Sequence, residues 1–163
     1  MTVRKIPPSN LYLREEELRR GIELLYFAYR DFTRDADAIL AQSGFGRAHH
    51  RVLYFVGRNP GINVSGLLGI LRITKQSLSR VLGDLVAAGH ITQQPGSEDR
   101  RQRLLHLTDK GRAFEKQLFA TQRDRVAHAY KQAGPEAVAG FWEVLLNIID
   151  PDDREPILSH IER

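Results

Sequence analysis

The chain has 163 residues, of which 42% are hydrophobic and 27% are charged. These values are ordinary for a globular protein, and the length suits a single domain that buries a sizeable core. No apolar run approaches the roughly 18 residues of a membrane span, and no export signal is evident, so we expect no membrane partner. The chain has no cysteine, which excludes disulfides and cysteine-based redox sensing and favours a cytoplasmic location.

The formal net charge of +4 is concentrated in the middle of the chain. Residues 58–108 contain seven Arg or Lys and three Asp or Glu, whereas the remainder contains 17 basic and 17 acidic residues. A basic segment on an otherwise neutral scaffold is typical of a surface that faces phosphates. The alternative is that these arginines form an ordinary solvated surface without a partner.

The N-terminal part predicts a short arm followed by a long helix. Pro7–Pro8 disfavours a helix in residues 1–10, which we expect to be an extended arm. Apolar residues at helical spacing then predict a helix from about Leu11 to Ala41, with Ser9 or Asn10 as its cap.

The middle of the chain predicts three helices and a pair of strands. The second helix spans about Arg47 to Arg58. Asn63 and Thr74 have side chains suited to cap the third and fourth helices. Two short strands follow, at about residues 91–94 and 102–107, and a loop rich in arginine joins them.

The C-terminal third predicts two further helices. Thr108 caps a fifth helix that runs to about Gln132. Gly134-Pro135 starts a sixth, since proline is favoured in the first turn of a helix. The segment Pro151–Pro156 predicts the end of that helix, which leaves the last residues as a short apolar tail.

The fourth helix carries the clearest functional pattern. One apolar stripe recurs at helical spacing: Leu78, Val81, Leu82 and Leu85. At 100° per residue, Gln76 and Arg80 lie opposite that stripe. Polar side chains without bulk on the outward face of a helix suit the major groove of DNA. The helix residues that we expect to contact DNA are Lys75, Gln76, Ser77, Ser79 and Arg80.

The loop between the predicted strands presents three arginines, Arg100, Arg101 and Arg103. Arg100 and Arg103 are suited to enter a minor groove or to hold phosphate, which favours narrow A·T-rich flanks. The two helices, the turn and the arginine-tipped hairpin together predict a winged helix-turn-helix. The predicted fold class is therefore mainly α with a small β-wing, and its head spans about residues 45–108.

The wing carries a spaced motif that resembles the signature of the MarR family of bacterial transcriptional regulators. The motif reads Asp99-x-Arg101-x-x-x-Leu105-x-Leu107-Thr108-x-x-Gly111. The segment from Pro60 to Gly89 is similar to that family's two-helix reading head, and the likeness covers nearly all of the chain. Gly66 departs from the family, which usually has an acidic residue there that closes a capping box. Because Asn63 can still cap, we expect only a slightly weaker helix start.

The resemblance implies one MarR-like domain over residues 1–163, in which residues 11–41 and 109–163 form intertwined dimerisation helices. It also implies that Asp99 and Arg101 brace the wing, so a structural role for Arg101 stands beside a direct DNA contact. A homodimer would hide the apolar surplus of the terminal helices, whereas the alternative is a monomer whose extra helices complete its core. Paired reading helices predict a pseudo-palindromic operator in double-stranded DNA.

The resemblance further implies a small-molecule effector. In MarR-like proteins, phenolic or anionic molecules bind where the dimerisation helices meet the reading head. We therefore expect a repressor whose DNA affinity an aromatic or anionic effector modulates. The candidate effector residues at that junction are Tyr26, Tyr29, Arg47, His49, His50, Arg51 and Tyr54. For each of the two histidines, the alternative is a structural residue without ligand contact.

The sequence lacks the common catalytic and cofactor motifs. Its six histidines fit neither an HExxH motif nor a Cys/His zinc spacing, and there is no phosphate-binding or nucleophile-elbow motif. We therefore expect no enzyme activity, no catalytic residue, no metal and no cofactor. A function of another class that suits the same fold is a winged-helix module for protein–protein assembly that does not bind DNA.

Overall fold

A computed structural model describes residues 10–96 and 99–162 of the chain. Apart from Asn10, the predicted N-terminal arm lies outside the described residues. Within those ranges, a 3-10 turn over Asn10–Leu13 precedes seven α-helices and three strands. These elements are α1 (Glu15–Gln42), α2 (Arg47–Arg58), β1 (Ile62–Asn63), α3 (Val64–Leu71), α4 (Lys75–Ala87), β2 (Ile91–Pro95), β3 (Arg103–Leu107), α5 (Asp109–Ala133), α6 (Pro135–Ile148) and α7 (Pro151–Ile161). No helix in the described part of the chain is long and apolar enough to cross a membrane.

The described residues divide into two compact units, with the division between Gln122 and Arg123 in α5. The first unit contains α1 to α4, the three strands and the first part of α5. The second contains the end of α5 with α6 and α7. Within the second unit, Trp142 Nε1 donates a hydrogen bond to Tyr130 Oη at 2.8 Å. The Tyr130 ring also packs edge-on against Phe141, with 6.4 Å between ring centres.

The three strands form an antiparallel sheet in the order β1-β3-β2. Leu105 in the middle strand pairs with Ile62 on one side and with Gln93 on the other. Gly61, just before β1, has φ +84°, and its N–H donates to Leu105 O at 2.9 Å. Glycine adopts this left-handed conformation readily. The sequence does not predict β1, because a two-residue strand is too short to show an alternating pattern.

The core of the first unit is built from leucines that come from different elements. Leu40 of α1, Leu53 of α2, Leu105 of β3 and Leu118 of α5 are all fully buried. The predicted apolar stripe of α4 is confirmed, since its four residues are all buried. Each fully buried leucine contributes about 1.5–3 kcal/mol. The stripe therefore holds α4 in the core and fixes which face of that helix is turned outward.

The predicted caps of the third, fourth and fifth helices are confirmed. Asn63, Thr74 and Thr108 each accept a hydrogen bond from the backbone N–H three residues on, at 2.8, 3.1 and 2.9 Å. Gly111 is required at the start of α5, because a Cβ there would lie 2.0 Å from the carbonyl oxygen of His90. This close approach explains the glycine that ends the wing motif.

The predicted start of the first helix is wrong. α1 begins at Glu15, and its N-cap is Arg14, which makes no side-chain cap hydrogen bond. The predicted cap Asn10 lies in the 3-10 turn instead. Arg14 has an extended backbone, with φ −63° and ψ 146°, and this conformation separates the turn from α1.

The predicted apolar tail is also wrong, because Pro151–Ile161 forms α7. Asp150 caps this helix by accepting a hydrogen bond from the Asp152 N–H at 3.3 Å, and Pro151 lies in its first turn. An acidic cap followed by proline is a start signal for a helix. The predicted end of the sixth helix is correct, because α6 ends at Ile148, but the same segment also begins α7, which continues through Pro156.

Candidate nucleic-acid interface

The outward face of α4 is polar and unobstructed. Its five predicted contact residues are all exposed: Lys75, Gln76, Ser77, Ser79 and Arg80. Ser77 also takes part in the helix cap, because its hydroxyl oxygen accepts from Thr74 Oγ1 at 2.8 Å while its N–H donates to the same Thr74 oxygen at 3.1 Å. The Ser77 hydroxyl keeps its own hydrogen as a free donor.

The tip of the wing is organised by Asp99. Its Oδ1 accepts from the Arg101 N–H at 2.9 Å, and its carbonyl oxygen accepts from the Gln102 N–H at 3.0 Å. The contact between Asp99 and Arg101 thus involves the backbone of Arg101. The side chains of Arg100, Arg101 and Arg103 are all exposed.

A side-chain amide joins the wing to the two-helix part of the head. Asn63 Nδ2 donates to Gln102 Oε1 at 3.1 Å, while Asn63 Oδ1 accepts from the Gly66 N–H at 2.8 Å. The Asn63 side chain therefore caps α3 and also holds Gln102, which lies between Arg101 and Arg103 of the wing. The sequence predicts the cap, but nothing local to Asn63 predicts its second contact.

His49, a predicted effector residue, anchors α4 to α2. Its Nδ1 accepts from the Gly46 N–H at 3.1 Å, and its Nε2 lies 3.1 Å from Asp84 Oδ2. Because Nδ1 is an acceptor, Nε2 carries the proton and donates to the carboxylate. Phe45 stacks on the imidazole, with 4.8 Å between ring centres. The sequence does not single out Asp84, since 35 residues separate it from His49.

The structure brings together three of the seven predicted effector residues. Arg51 Nη2 donates to Tyr29 Oη at 3.0 Å, and the Arg47 guanidinium lies 5.5 Å from the centre of the Tyr29 ring. Arg47 is also held by both carboxylate oxygens of Asp37, at 2.7–3.2 Å. Its charge is therefore already paired within the chain.

The other predicted effector residues have different surroundings. Tyr26 packs edge-on against Phe27 with 5.3 Å between ring centres, and Tyr54 packs in the same way against Phe55 at 5.2 Å. Tyr26 is exposed, whereas Tyr54 is half-buried. His50 lies in the core.

Burial perturbs three titratable groups of the first unit. Desolvation lowers the pKa of His50, against the opposing effect of the Asp37 charge. Desolvation also lowers the pKa of His90, and the charge of Lys110 adds to that shift. Burial raises the pKa of Glu115. Among the described residues, no group of three or more His, Cys, Asp or Glu side chains is arranged to hold a metal ion.

The fold and its exposed helix define the chain as a winged helix-turn-helix protein with long flanking helices. A family model described as the MarR family matches residues 43–102. The chain is also 50% identical over 141 residues to the HTH-type transcriptional regulator PetP of Rhodobacter capsulatus, a match that covers 86% of this chain and 85% of that protein. The chain therefore belongs to the MarR family, as the wing motif predicted, and is a transcriptional regulator of the MarR type.

Solved structures of MarR-family regulators have the same fold. Streptococcus pneumoniae FabT in complex with DNA matches with a TM-score of 0.71 and 22% identity, over 80% of this chain and 94% of that chain. A mutant MarR from E. coli, complexed with operator DNA, matches with a TM-score of 0.65 and 22% identity, over 87% of this chain and 100% of that chain. The predicted fold class, mainly α with a small β-wing, is confirmed.

Proposed function

We propose that this regulator binds double-stranded DNA as a homodimer, with α4 of each protomer in a major groove and each wing beside the adjacent minor groove. The observation that carries the proposal is the exposed polar face of α4, opposite a stripe that is buried in the core. Two further facts support it. The formal positive charge of the chain lies in this head, and FabT and MarR were solved with DNA on the same fold.

We assign different roles to α4 and to the wing. Gln76 and Arg80 lie opposite the buried stripe and are placed to read base edges. Asp99 braces the wing tip through the Arg101 N–H, which leaves the Arg101 guanidinium available for phosphate. The proposed contacts are Lys75, Gln76, Ser77, Ser79 and Arg80 on α4 and Arg100, Arg101 and Arg103 on the wing.

The homodimer is supported by apolar surface on the flanking helices. α1 exposes Leu18, Ile22, Leu24, Leu25, Tyr26, Phe27 and Tyr29, and α6 exposes Phe141, Trp142, Val144 and Ile148. Soluble monomers rarely expose so many large apolar side chains. A second copy related by a twofold axis would cover them and present two reading helices to a pseudo-palindromic operator. The two half-sites would then lie about one turn of DNA apart, roughly 34 Å.

Substitution of Arg80 tests the assignment. A duplex is first selected from a random pool with the full-length protein, and its affinity is measured by fluorescence anisotropy at several salt concentrations. Arg80→Ala is expected to weaken binding by about 5- to 150-fold, because it removes a contact of about 1–3 kcal/mol. Arg103→Ala is expected to flatten the salt dependence by about one unit if this arginine holds phosphate.

The matched control is Lys116→Ala, since Lys116 is exposed on α5 outside the head. We expect its duplex affinity and salt dependence to equal those of the wild type. If the wild-type protein shows no salt-dependent binding to any duplex, or if Arg80→Ala binds as the wild type does, the proposal fails. Either result would favour a module for protein–protein assembly.

We also propose that the regulator is a repressor whose DNA affinity a small aromatic or anionic effector modulates. A dimer bound at a promoter blocks access of RNA polymerase to it. The effector acts by binding more tightly to a dimer conformation in which the spacing of the two heads does not fit DNA. Tyr29, Arg47 and Arg51 are the predicted effector residues that lie in contact. Transcription in vitro from a template with the selected operator should fall when the protein is added. A rise in transcription would contradict the repressor role.

A further inference from the structure

The wing is attached to the rest of the head by a ladder that stops before the wing arginines. The pairing of β1 with β3 ends where Asn63 faces Leu104. Arg103 precedes Leu104 and pairs with β2, and Arg101 lies in the turn at the tip. A two-stranded hairpin is only marginally stable by itself in water. The position of these arginines relative to α4 therefore depends on further contacts between the wing and the head.

The residue between the two arginines, Gln102, is held from three directions. Its N–H donates to Asp99 O at 3.0 Å, and its carbonyl oxygen accepts from the Gly96 N–H at 3.0 Å. Its side-chain Oε1 accepts from Asn63 Nδ2 at 3.1 Å. The first two contacts close the tip on itself, whereas the third joins the tip to the start of α3. Because the backbone is continuous, a fixed Gln102 limits where the arginine on either side of it can lie.

Asn63 can make this bridge because α3 already holds its side chain. Its Oδ1 accepts from the Gly66 N–H at 2.8 Å, which leaves Nδ2 free to donate to the wing. A Cβ at position 66 would lie 3.4 Å from Asn63 Oδ1 and 3.1 Å from Ile62 Cγ1. Glycine therefore leaves the Asn63 side chain uncrowded, and it adds no carboxylate that would compete for Nδ2.

The bridge joins the wing to the same packed body that holds α4. One hydrophobic cluster contains Leu67 of α3 together with Leu78 and Leu85 of α4, and all three are fully buried. Interiors packed in this way deform little. The cap of α3 and the outward face of α4 therefore belong to one rigid body. A wing held to that body meets the duplex at a fixed distance from the bases that α4 contacts.

We infer that Asn63 and Gln102 are positioning residues, which set the distance along the duplex between the bases that α4 reads and the flank that the wing arginines contact. This inference rests on the proposed DNA-binding function and deepens it. The operator class that follows has its A·T-rich flank, where a narrow minor groove attracts arginine, at one fixed offset from the bases under α4. A wing without the bridge would accept the flank at several offsets, because it could follow the groove.

Three single substitutions separate the bridge from the helix cap. Asn63→Ser keeps a cap for α3, since serine and asparagine cap about equally well, but its side chain is too short to reach Gln102. Asn63→Asp also keeps the cap, and the Gln102 amide can rotate to donate to the second carboxylate oxygen. Gln102→Leu removes the acceptor from the other side of the bridge at similar side-chain size.

The main readout is the preference for the offset of the flank. The selected duplex is compared, by fluorescence anisotropy with the full-length protein, with one whose A·T-rich flank is moved one base pair outward. The move is expected to weaken binding at least about fivefold in the wild type and in Asn63→Asp. In Asn63→Ser and Gln102→Leu the expected loss is less than about twofold, because the wing follows the flank. A general loss of stability would instead lower both affinities and leave their ratio unchanged.

The inference is overturned if the wild type binds both duplexes equally, or if Asn63→Ser and Gln102→Leu keep the wild-type ratio. A double-mutant cycle adds a second decision. On the selected duplex, each of these two substitutions is expected to weaken binding about threefold, and their combination also about threefold, because one hydrogen bond is lost in all three proteins. A loss of about ninefold in the combination would show that the two residues act separately.

A measurement without DNA distinguishes failure of the bridge from failure of the proposed function. Heteronuclear NOE values of the Arg101 and Arg103 amides report motion on the picosecond-to-nanosecond timescale. We expect wild-type values close to those of the α4 amides, lower values in Asn63→Ser, and recovery in Asn63→Asp. Unchanged values in Asn63→Ser would overturn the inference. If the wild type binds no duplex, the proposed function fails instead, and these values still decide whether Asn63 holds the wing.

Discussion

The reading head and the flanking helices use their apolar residues in opposite ways. In the head, Leu53, Leu78 and Leu85 are fully buried. In the flanking helices, side chains of similar size are mostly exposed, such as Ile22 of α1 at 69% and Ile148 of α6 at 63%. The head thus completes its core from its own chain, whereas the flanking helices need a second surface. This contrast predicts that the two regions respond differently to the same substitution.

The largest expected effect comes from a truncation in the core of the head. Leu85→Ala is expected to lower the free energy of unfolding by about 3 kcal/mol, because it removes buried methyl groups and leaves a cavity. The matched substitution Leu24→Ala, on an exposed position of α1, should have a small effect at low protein concentration. Urea unfolding at several protein concentrations measures both values. Equal losses at all concentrations would contradict the contrast.

The next largest expected effect is on the free energy of self-association, when a charged side chain is introduced on the exposed face of α1. Ile22→Asp is expected to weaken self-association by about 2 kcal/mol, because it places an unpaired carboxylate in an apolar interface. Sedimentation velocity at decreasing concentration reports the dissociation constant. Ile22→Leu is the control, since it keeps the apolar surface. If Ile22→Asp associates as the wild type does, this face of α1 lies outside the dimer interface.

The same contrast explains how much of the fold the sequence can predict. Short sequence patterns predict the elements of the head. Asn63 and Thr74 cap their helices, the apolar stripe of α4 has helical spacing, and arginines mark the wing. In the flanking helices such signals are weaker or ambiguous. The segment Pro151–Pro156 marks the end of α6 but also begins α7, and Arg14 caps α1 without a side-chain hydrogen bond.

The candidate sites divide in a similar way. The exposed residues of α4 can be predicted because they lie opposite the stripe on one helix. The contact of His49 with Asp84 and that of Asn63 with Gln102 join residues 35 and 39 positions apart. Gly111 likewise lets the start of α5 approach the backbone of His90, 21 positions earlier, because a Cβ there would lie 2.0 Å from the His90 carbonyl oxygen. Contacts of this kind depend on tertiary packing, which leaves no local pattern in the sequence.

Helix caps provide a third comparison, with effects of about 1 kcal/mol. Thr74→Ala removes the side-chain cap of α4 and is expected to cost about 1 kcal/mol of unfolding free energy. Arg14→Ser adds a capping side chain where α1 has none, and is expected to stabilise α1 by about 0.5 kcal/mol. Urea unfolding measures the first effect, and hydrogen exchange of the α1 amides measures the second. A loss of protection in Arg14→Ser would show that Arg14 stabilises α1 in another way.

The smallest expected effect is a pH dependence of the free energy of unfolding, caused by a histidine in the head. Burial lowers the pKa of His50 in the folded chain, whereas the unfolded chain has the ordinary value of about 6.5. The unfolded state therefore binds more protons between these two values, and stability falls as the pH is lowered below about 6.5. His50→Gln should flatten this slope between pH 7 and pH 5.5, whatever its effect on stability at pH 7. His128→Gln, at an exposed position of α5, should leave the slope unchanged, and equal slopes in the two variants would show that His50 is not its source.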